Sequence, residues 1–179
     1  GEFWVENPFM MPKIGANLSA YERNRSFING GGDSFVDVSF ASGTDIDSDS
    51  RSVVAADFNR DGACDLLVGS VGGGPLRLFL NRYPAGNFVR VRLLGTSSNR
   101  LGIGARLVAH AGKKIVRDVF PANGFMGQGP VETIIGIGDA TEIERLEVRW
   151  PSGKTQNFAN LPAGDTVELR EHDGTGSDH

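Results

Sequence analysis

The residues best equipped for chemistry run from 57 to 65: Asp57-Phe58-Asn59-Arg60-Asp61-Gly62-Ala63-Cys64-Asp65. Asp57, Asn59, Asp61 and Asp65 stand at positions 1, 3, 5 and 9 of a calcium loop, Gly62 stands at the sharp turn of position 6, and the Ala63 carbonyl falls at position 7. Oxygens on alternate residues, curled round one point, are what a hard cation requires. Three carboxylates that close together repel one another, and a bound cation removes that penalty. Position 12, where an EF-hand carries a bidentate glutamate, is Val68. The flanks 53–56 and 66–68 are strand-like, so the spacing predicts a Ca2+ loop at the end of a β-hairpin, with Asp57, Asn59, Asp61, Ala63 and Asp65 as metal ligands. The alternative is an Asx-rich turn without metal.

Asp45, Asp47 and Asp49 alternate along a second acidic stretch. On an extended segment such side chains point to opposite faces, which favours a solvated loop over a metal site. The stretch 29–33 has the composition of a glycine-rich hairpin turn. Enzyme signatures are missing. Gly102-Ile103-Gly104 is followed by Leu107 where a dinucleotide fingerprint needs glycine, and no phosphate loop, paired-histidine helix or nucleophile elbow occurs. His110 sits on an expected strand, while His172 and His179 lie at the end of the sequence. Cys64, inside the loop, is expected to turn toward the packing side of the hairpin. Asn17-Leu18-Ser19 and Asn24-Arg25-Ser26 match the short glycosylation pattern. No catalytic residue is assigned, and the chain is expected not to be an enzyme.

The elements that position the loop show a hydrophobic period of two, the mark of half-buried strands. It recurs over 35–40, 76–80, 88–94, 115–120, 144–150 and 166–171. In 144–150, Leu146, Val148 and Trp150 share one face, and Arg145, Glu147 and Arg149 the other, so a slip of one residue would expose the apolar set. Trp150 is accordingly expected in the core. No three-turn amphipathic helix is evident; 139–145 has room for one turn. The chain has 179 residues, 25 of them glycine, and its 18 basic and 22 acidic residues give a net charge of −4. That sign argues against nucleic acid as partner. No apolar run approaches the ~20 residues of a membrane span, and no signal peptide is evident. One cysteine excludes a disulfide scaffold. Composition divides the chain into an extended leader, 1–20, an Asp/Asn/Gly-rich part, 21–86, a run of strands, 87–171, and a polar tail, 172–179.

Two sets of motifs carry a resemblance. Phe27-Ile28-Asn29, Gly32-Asp33-Ser34-Phe35-Val36-Asp37-Val38, Ala55-Ala56-Asp57-Phe58-Asn59-Arg60-Asp61-Gly62 and Leu76-Arg77-Leu78-Phe79-Leu80-Asn81-Arg82 resemble the FG-GAP or VCBS repeats of integrin-like β-propellers. Asn99-Arg100-Leu101-Gly102-Ile103-Gly104-Ala105-Arg106, Gly124-Phe125-Met126-Gly127-Gln128, Ile135-Gly136-Ile137-Gly138 and the stretch from Val148 through Pro151 and Gly153 to Gln156 resemble an ASPIC/UnbV domain. In this order the two are similar to the C-terminal part of cartilage-acidic-protein-like proteins. The resemblance implies an all-β fold: a calcium-loop β-hairpin blade of propeller type followed by an antiparallel β-sandwich-like domain. A propeller needs at least four blades, so the chain is expected to be part of a longer one. Ala63 stands where the family often has Asp or Asn, which leaves the backbone carbonyl as ligand.

The resemblance further implies a secreted or extracellular calcium-binding module whose partner is a protein or a carbohydrate, with no nucleic acid and no membrane span. Calcium would be a structural ion in a non-catalytic module for protein interaction or adhesion. The alternatives are an accessory domain of a secreted enzyme, with a ligand pocket lined by Trp150, Phe120 and Phe125, or a carbohydrate-binding or calcium-organised reactive cleft. Arg100 and Arg106 are candidates to clamp carboxylates where the two parts meet.

Overall fold

A computed structural model describes residues 23–30, 32–48, 50–70, 75–84, 86–122, 124–125 and 127–172. The leader 1–20, Asn17, Asp49, the 72–74 glycines, His179 and most of the tail lie outside the described residues. Among the described residues twelve elements form, all of them strands: β1 (Phe27–Asn29), β2 (Phe35–Asp37), β3 (Ser50–Ala56), β4 (Asp65–Ser70), β5 (Arg77–Phe79), β6 (Asn87–Leu94), β7 (Arg106–Ala111), β8 (Lys113–Asp118), β9 (Thr133–Gly138), β10 (Glu142–Arg149), β11 (Thr155–Pro162) and β12 (Thr166–Arg170). Among the described residues there is no helix and no closed barrel; 139–141 is a short connection from β9 into β10 rather than a helical turn.

The chain forms two compact units. The first comprises residues 1–55, 65–79 and 124–127. It holds the antiparallel hairpin β1–β2, whose turn is closed by Gly30 N–H donating to the Ser34 carbonyl (3.0 Å), and a three-stranded sheet ordered β3-β4-β5. The expected strand 35–40 stops at Asp37 because Asp37 Oδ1 accepts from both the N–H (2.9 Å) and the hydroxyl (2.5 Å) of Ser39 and turns the chain. Ser39 is buried, and its hydroxyl accepts from Ser26 N–H (2.8 Å), while Thr44 Oγ1 donates to Ser26 Oγ (2.8 Å). Hydroxyl networks therefore supply much of the order here. Phe27, Phe35, Phe40 and Leu76 are exposed.

The second unit, residues 56–64, 80–123 and 128–179, carries the main core. One sheet is ordered β11-β10-β7-β8, antiparallel throughout; the other is β12-β6-β9. Buried side chains of both sheets form one cluster, including Val89, Val91, Leu107, Ile135, Leu146 and Val148. Each such Leu, Ile or Val removed from water stabilises the fold by about 1.5–3 kcal/mol. The sandwich is not purely antiparallel: β12 runs parallel to β6, from Thr166 beside Arg90 to Arg170 beside Leu94, while β9 is antiparallel to β6. Parallel neighbours need a crossover rather than a tight turn, and the whole four-stranded sheet supplies it. Leu146, Val148 and Trp150 are buried and Arg145 and Arg149 exposed, as their alternation predicts. Ile143 is also buried, off that alternation.

The glycine-rich stretch 99–106 is a structural corner. Asn99 Nδ2 donates to the Ile103 carbonyl (2.7 Å) and its Oδ1 accepts from Ile103 N–H (2.9 Å), so one side chain stands in for a backbone pair. Gly102 has φ +62, and a Cβ there would lie 2.7 Å from the Leu93 Cβ. Only glycine combines that conformation with that approach.

Candidate functional site

The loop 57–64 joins the consecutive sheet neighbours β3 and β4. Arg60 (φ +64) and Gly62 (φ +88) both adopt left-handed conformations and curl it tightly. Asp61 N–H is shared by Asp57 Oδ1 (3.0 Å) and Asn59 Oδ1 (3.2 Å). Asp57 Oδ2 accepts from Gly62 N–H (2.9 Å), and Asp61 Oδ1 from Ala63 N–H (2.8 Å). Asn59 Nδ2 donates to Asp61 Oδ2 (2.7 Å). The Ala63 N–H and the Asn59 amide hold the Asp61 carboxyl below its ordinary pKa. The curl leaves no room at position 62, where a Cβ would lie 2.0 Å from the Phe88 ring.

A basic residue that the sequence pattern hides completes the site. The Asp57 carboxylate is ion-paired with Arg90 on β6, and the two side chains are only 2% and 6% exposed. Glu132 Oε1 lies 3.0 Å from Arg90 Nε and also pairs with Arg92, while the Phe88 ring centroid is 5.2 Å from the Arg90 guanidinium carbon. Period two puts Arg90 on the face opposite Val89 and Val91, which reads as solvent; the loop covers that face and buries it. A carboxylate out of water needs such a partner, because an unpaired buried charge costs several kcal/mol.

The structure thus joins Asp57, Asn59, Asp61 and Ala63 by hydrogen bonds within one loop. Asp65 opens β4 and is fully buried. Asp57 Oδ1, Asn59 Oδ1 and both Asp61 oxygens each take one hydrogen bond from the loop, and an sp² oxygen has two lone pairs. The donor set is therefore chemically fit for a hard cation. Among the described residues no three His, Cys, Asp or Glu side chains gather at one point, so a cation in this loop must draw on the Asn59 amide and the Ala63 carbonyl as well as carboxylates.

Other candidates fall elsewhere. Asp45 pairs with Arg23 (3.4 Å), whose backbone bridges to Asp47. Cys64 is exposed, contrary to the expectation that it packs; Ala63 and Asp65 take the inward places instead. Arg106 does clamp a carboxylate, but that of its cross-strand neighbour Asp118 on the surface (2.7 and 3.1 Å), and Arg100 is exposed. Trp150 belongs to the core, with an indole N–H that has no acceptor among the described residues, and is thereby removed from any ligand surface.

One buried anion was not anticipated. Glu171 Oε2 accepts from the N–H groups of Thr96 (2.9 Å), Ser97 (2.9 Å) and Ser98 (2.7 Å), and Oε1 from the hydroxyls of Ser98 (3.1 Å) and Ser152 (2.5 Å). Burial pushes its pKa up, but the Ser152 hydroxyl and the Ser98 and Thr96 donors outweigh it and lower the pKa from 4.5 to about 2. Three successive N–H groups turned on one anion form a nest; a run of Thr and Ser in sequence does not announce it.

Residues 95–176 match the family model described as ASPIC and UnbV. No curated protein matches the chain. The matched span contains the Asn99–Ile103 corner, strands β7 to β12 and the Glu171 nest. Among the described residues no helix is long and apolar enough to cross a membrane.

Proposed function

We propose that the chain is a non-catalytic calcium-binding module for protein interaction or adhesion outside the cytoplasm, in which calcium is a structural ion. The observation that carries the reading is the convergence of Asp57 Oδ1 and Asn59 Oδ1 on one N–H, with Asp61 bonded to Asn59 beside them. Asp57, Asn59, Asp61 and the Ala63 carbonyl would hold the ion, and Asp65 is the ninth-position ligand by spacing. The bound ion would supply charge compensation to the loop carboxylates, and Arg90 already supplies part of it to Asp57. The resemblance of 21–86 to a propeller blade belongs to the same proposal; its support is the β3-β4-β5 sheet with Leu76, Leu78 and Leu80 exposed. So do the cartilage-acidic-protein-like identity and extracellular location. A cation that binds only the native state stabilises it by about 2.7 kcal/mol at a hundredfold excess over Kd. Extracellular modules bind calcium with Kd of roughly 10⁻⁴–10⁻³ M, so the site would fill outside cells and empty in the cytosol.

Thermal unfolding in EGTA and in millimolar calcium, with Asp61→Ala alongside, tests the reading. A calcium-dependent rise in midpoint that Asp61→Ala abolishes is expected. An unchanged wild-type midpoint, with no calcium heat in titration calorimetry, would leave the loop as an Asx-rich turn and end the calcium proposal.

A further inference from the structure

The outward face of the β11-β10-β7-β8 sheet can be read row by row from its register. Thr155, Arg149, Arg106 and Asp118 form one row, and Ala159, Arg145, His110 and Lys114 another, with Glu147 and Val108 between them. At one end the charges cancel: Arg106 pairs with Asp118, and Arg149 Nε with Glu147 (2.6 Å). At the other, bases outnumber acids: Glu147 lies near Arg145 and His110, and Glu144 near Lys113 and Lys114. Arg145 donates to His110 Nε2 (2.9 Å), which must accept because a guanidinium only donates. On β8, Lys114 on this face and Lys113 and Arg117 on the opposite one make no ion pair among the described residues. His110, Gly112, Lys113, Lys114 and Glu144 line an open groove beside this row.

These cations sit on an edge. Among the described residues strand β8 has β7 as its sole sheet neighbour, so alternate N–H and C=O groups of Lys113–Asp118 have no ladder partner among them. At Val116 the carbonyl accepts from the Arg117 guanidinium (2.9 Å), as happens where no adjacent strand provides a donor. The opposite edge, β11, has no Lys or Arg in Thr155–Pro162, and its run is broken by Asn160 at φ +54. Basic side chains on an edge repel a second copy of that edge and any basic strand. An acidic strand is attracted.

We propose that β8 is a docking edge for an extended acidic peptide segment of a partner protein, which adds as a fifth strand with carboxylates facing Lys114 on one face of β8 or Lys113 and Arg117 on the other. Backbone pairing supplies affinity and the cation row supplies selection, as in β-strand addition generally. The exposed backbone edge favours a peptide over a polyanionic sugar, which has no N–H and C=O ladder to offer. The inference gives chemistry to the interaction part of the proposed function but uses no residue of the calcium loop, so it is tested in EGTA and again in calcium.

The probe is a fluorescein-labelled peptide of alternating Glu and Val, followed by anisotropy against the intact chain. Saturable binding is expected, weakened by about tenfold or more in Lys114→Glu/Arg117→Glu, where a rim attraction becomes a repulsion. Both side chains are exposed, so an unchanged thermal midpoint identifies the loss as local. A peptide N-methylated at alternate residues should lose binding in one of its two registers. Absence of binding at low salt, equal binding by the charge-reversed variant, or equal binding by both N-methylated peptides would overturn the proposal. So would a heparin fragment that displaces the peptide and binds more tightly, which would assign the row to a sulfated sugar. Binding that persists in EGTA while the calcium-dependent midpoint shift is absent would uphold this surface and sink the calcium reading alone.

Discussion

Glu171 holds its negative charge by N–H and O–H donors, and the consequence is a pH dependence that can be worked through in sign. Its folded pKa of about 2 lies below the ordinary 4.5. A depressed carboxyl contributes stability that is present above the unfolded pKa and lost as pH falls through the folded one. The midpoint of thermal unfolding should therefore fall between about pH 5 and pH 2, and Glu171→Gln should flatten that part of the profile. At neutral pH the same variant should be less stable by about 2 kcal/mol, since hydrogen bonds to a charged group are worth roughly 1.5–3 kcal/mol; urea unfolding at pH 7 measures it. Residues differ in how openly they declare themselves. Asp57, Asn59 and Asp61 were legible because regular spacing of one chemical type is a one-dimensional signal. Arg90 and Glu171 were not, because each is defined by what folds over it: the 57–62 loop in one case, the amides of 96–98 in the other.

Among the elements, β10 is the clearest case of period two becoming a buried face, with Leu146 and Val148 fully enclosed. Leu146→Ala should cost about 2–5 kcal/mol, the range for emptying a core site. Trp150→Phe should cost less than about 2 kcal/mol, because the indole N–H it removes has no acceptor among the described residues and the relief offsets part of the lost contact. Chemical denaturation of the two variants side by side checks the contrast; a larger loss for Trp150→Phe would mean that the indole N–H does find an acceptor. The six strands read from alternation all form, in whole or part, whereas β7, β9 and β11 gave no clean signal. In β7, Leu107, Val108, Ala109 and Ala111 are all buried, so alternation vanishes. In β9 two of six residues are glycine, which imitates a turn. In β11 a glutamine, Gln156, takes an inward place beside Phe158, and polarity masks the face.

At the scale of the whole molecule, the all-β class followed from glycine content and periodicity, but the parallel pairing of β12 with β6 did not. Pairing between strands so far apart leaves no local trace. It makes the last strand of the second unit a neighbour of its first long one, with β9 on the other side. A chain ending at residue 164 should accordingly lose cooperative unfolding, as it would lack both β12 and the Glu171 anchor; a single sharp thermal transition in that chain would show that β12 is dispensable. The same arrangement dictates an order of events on the ribosome. Strand β6 is central in its sheet, yet at its synthesis neither flank exists, and about seventy residues separate it from β12. At roughly 5–20 residues per second its first partner, β9, follows after several seconds and β12 after several more, an interval in which Val89, Val91 and Leu93 wait for a complete sheet. A nascent chain of this kind offers a chaperone its first apolar strand well before the fold can claim it.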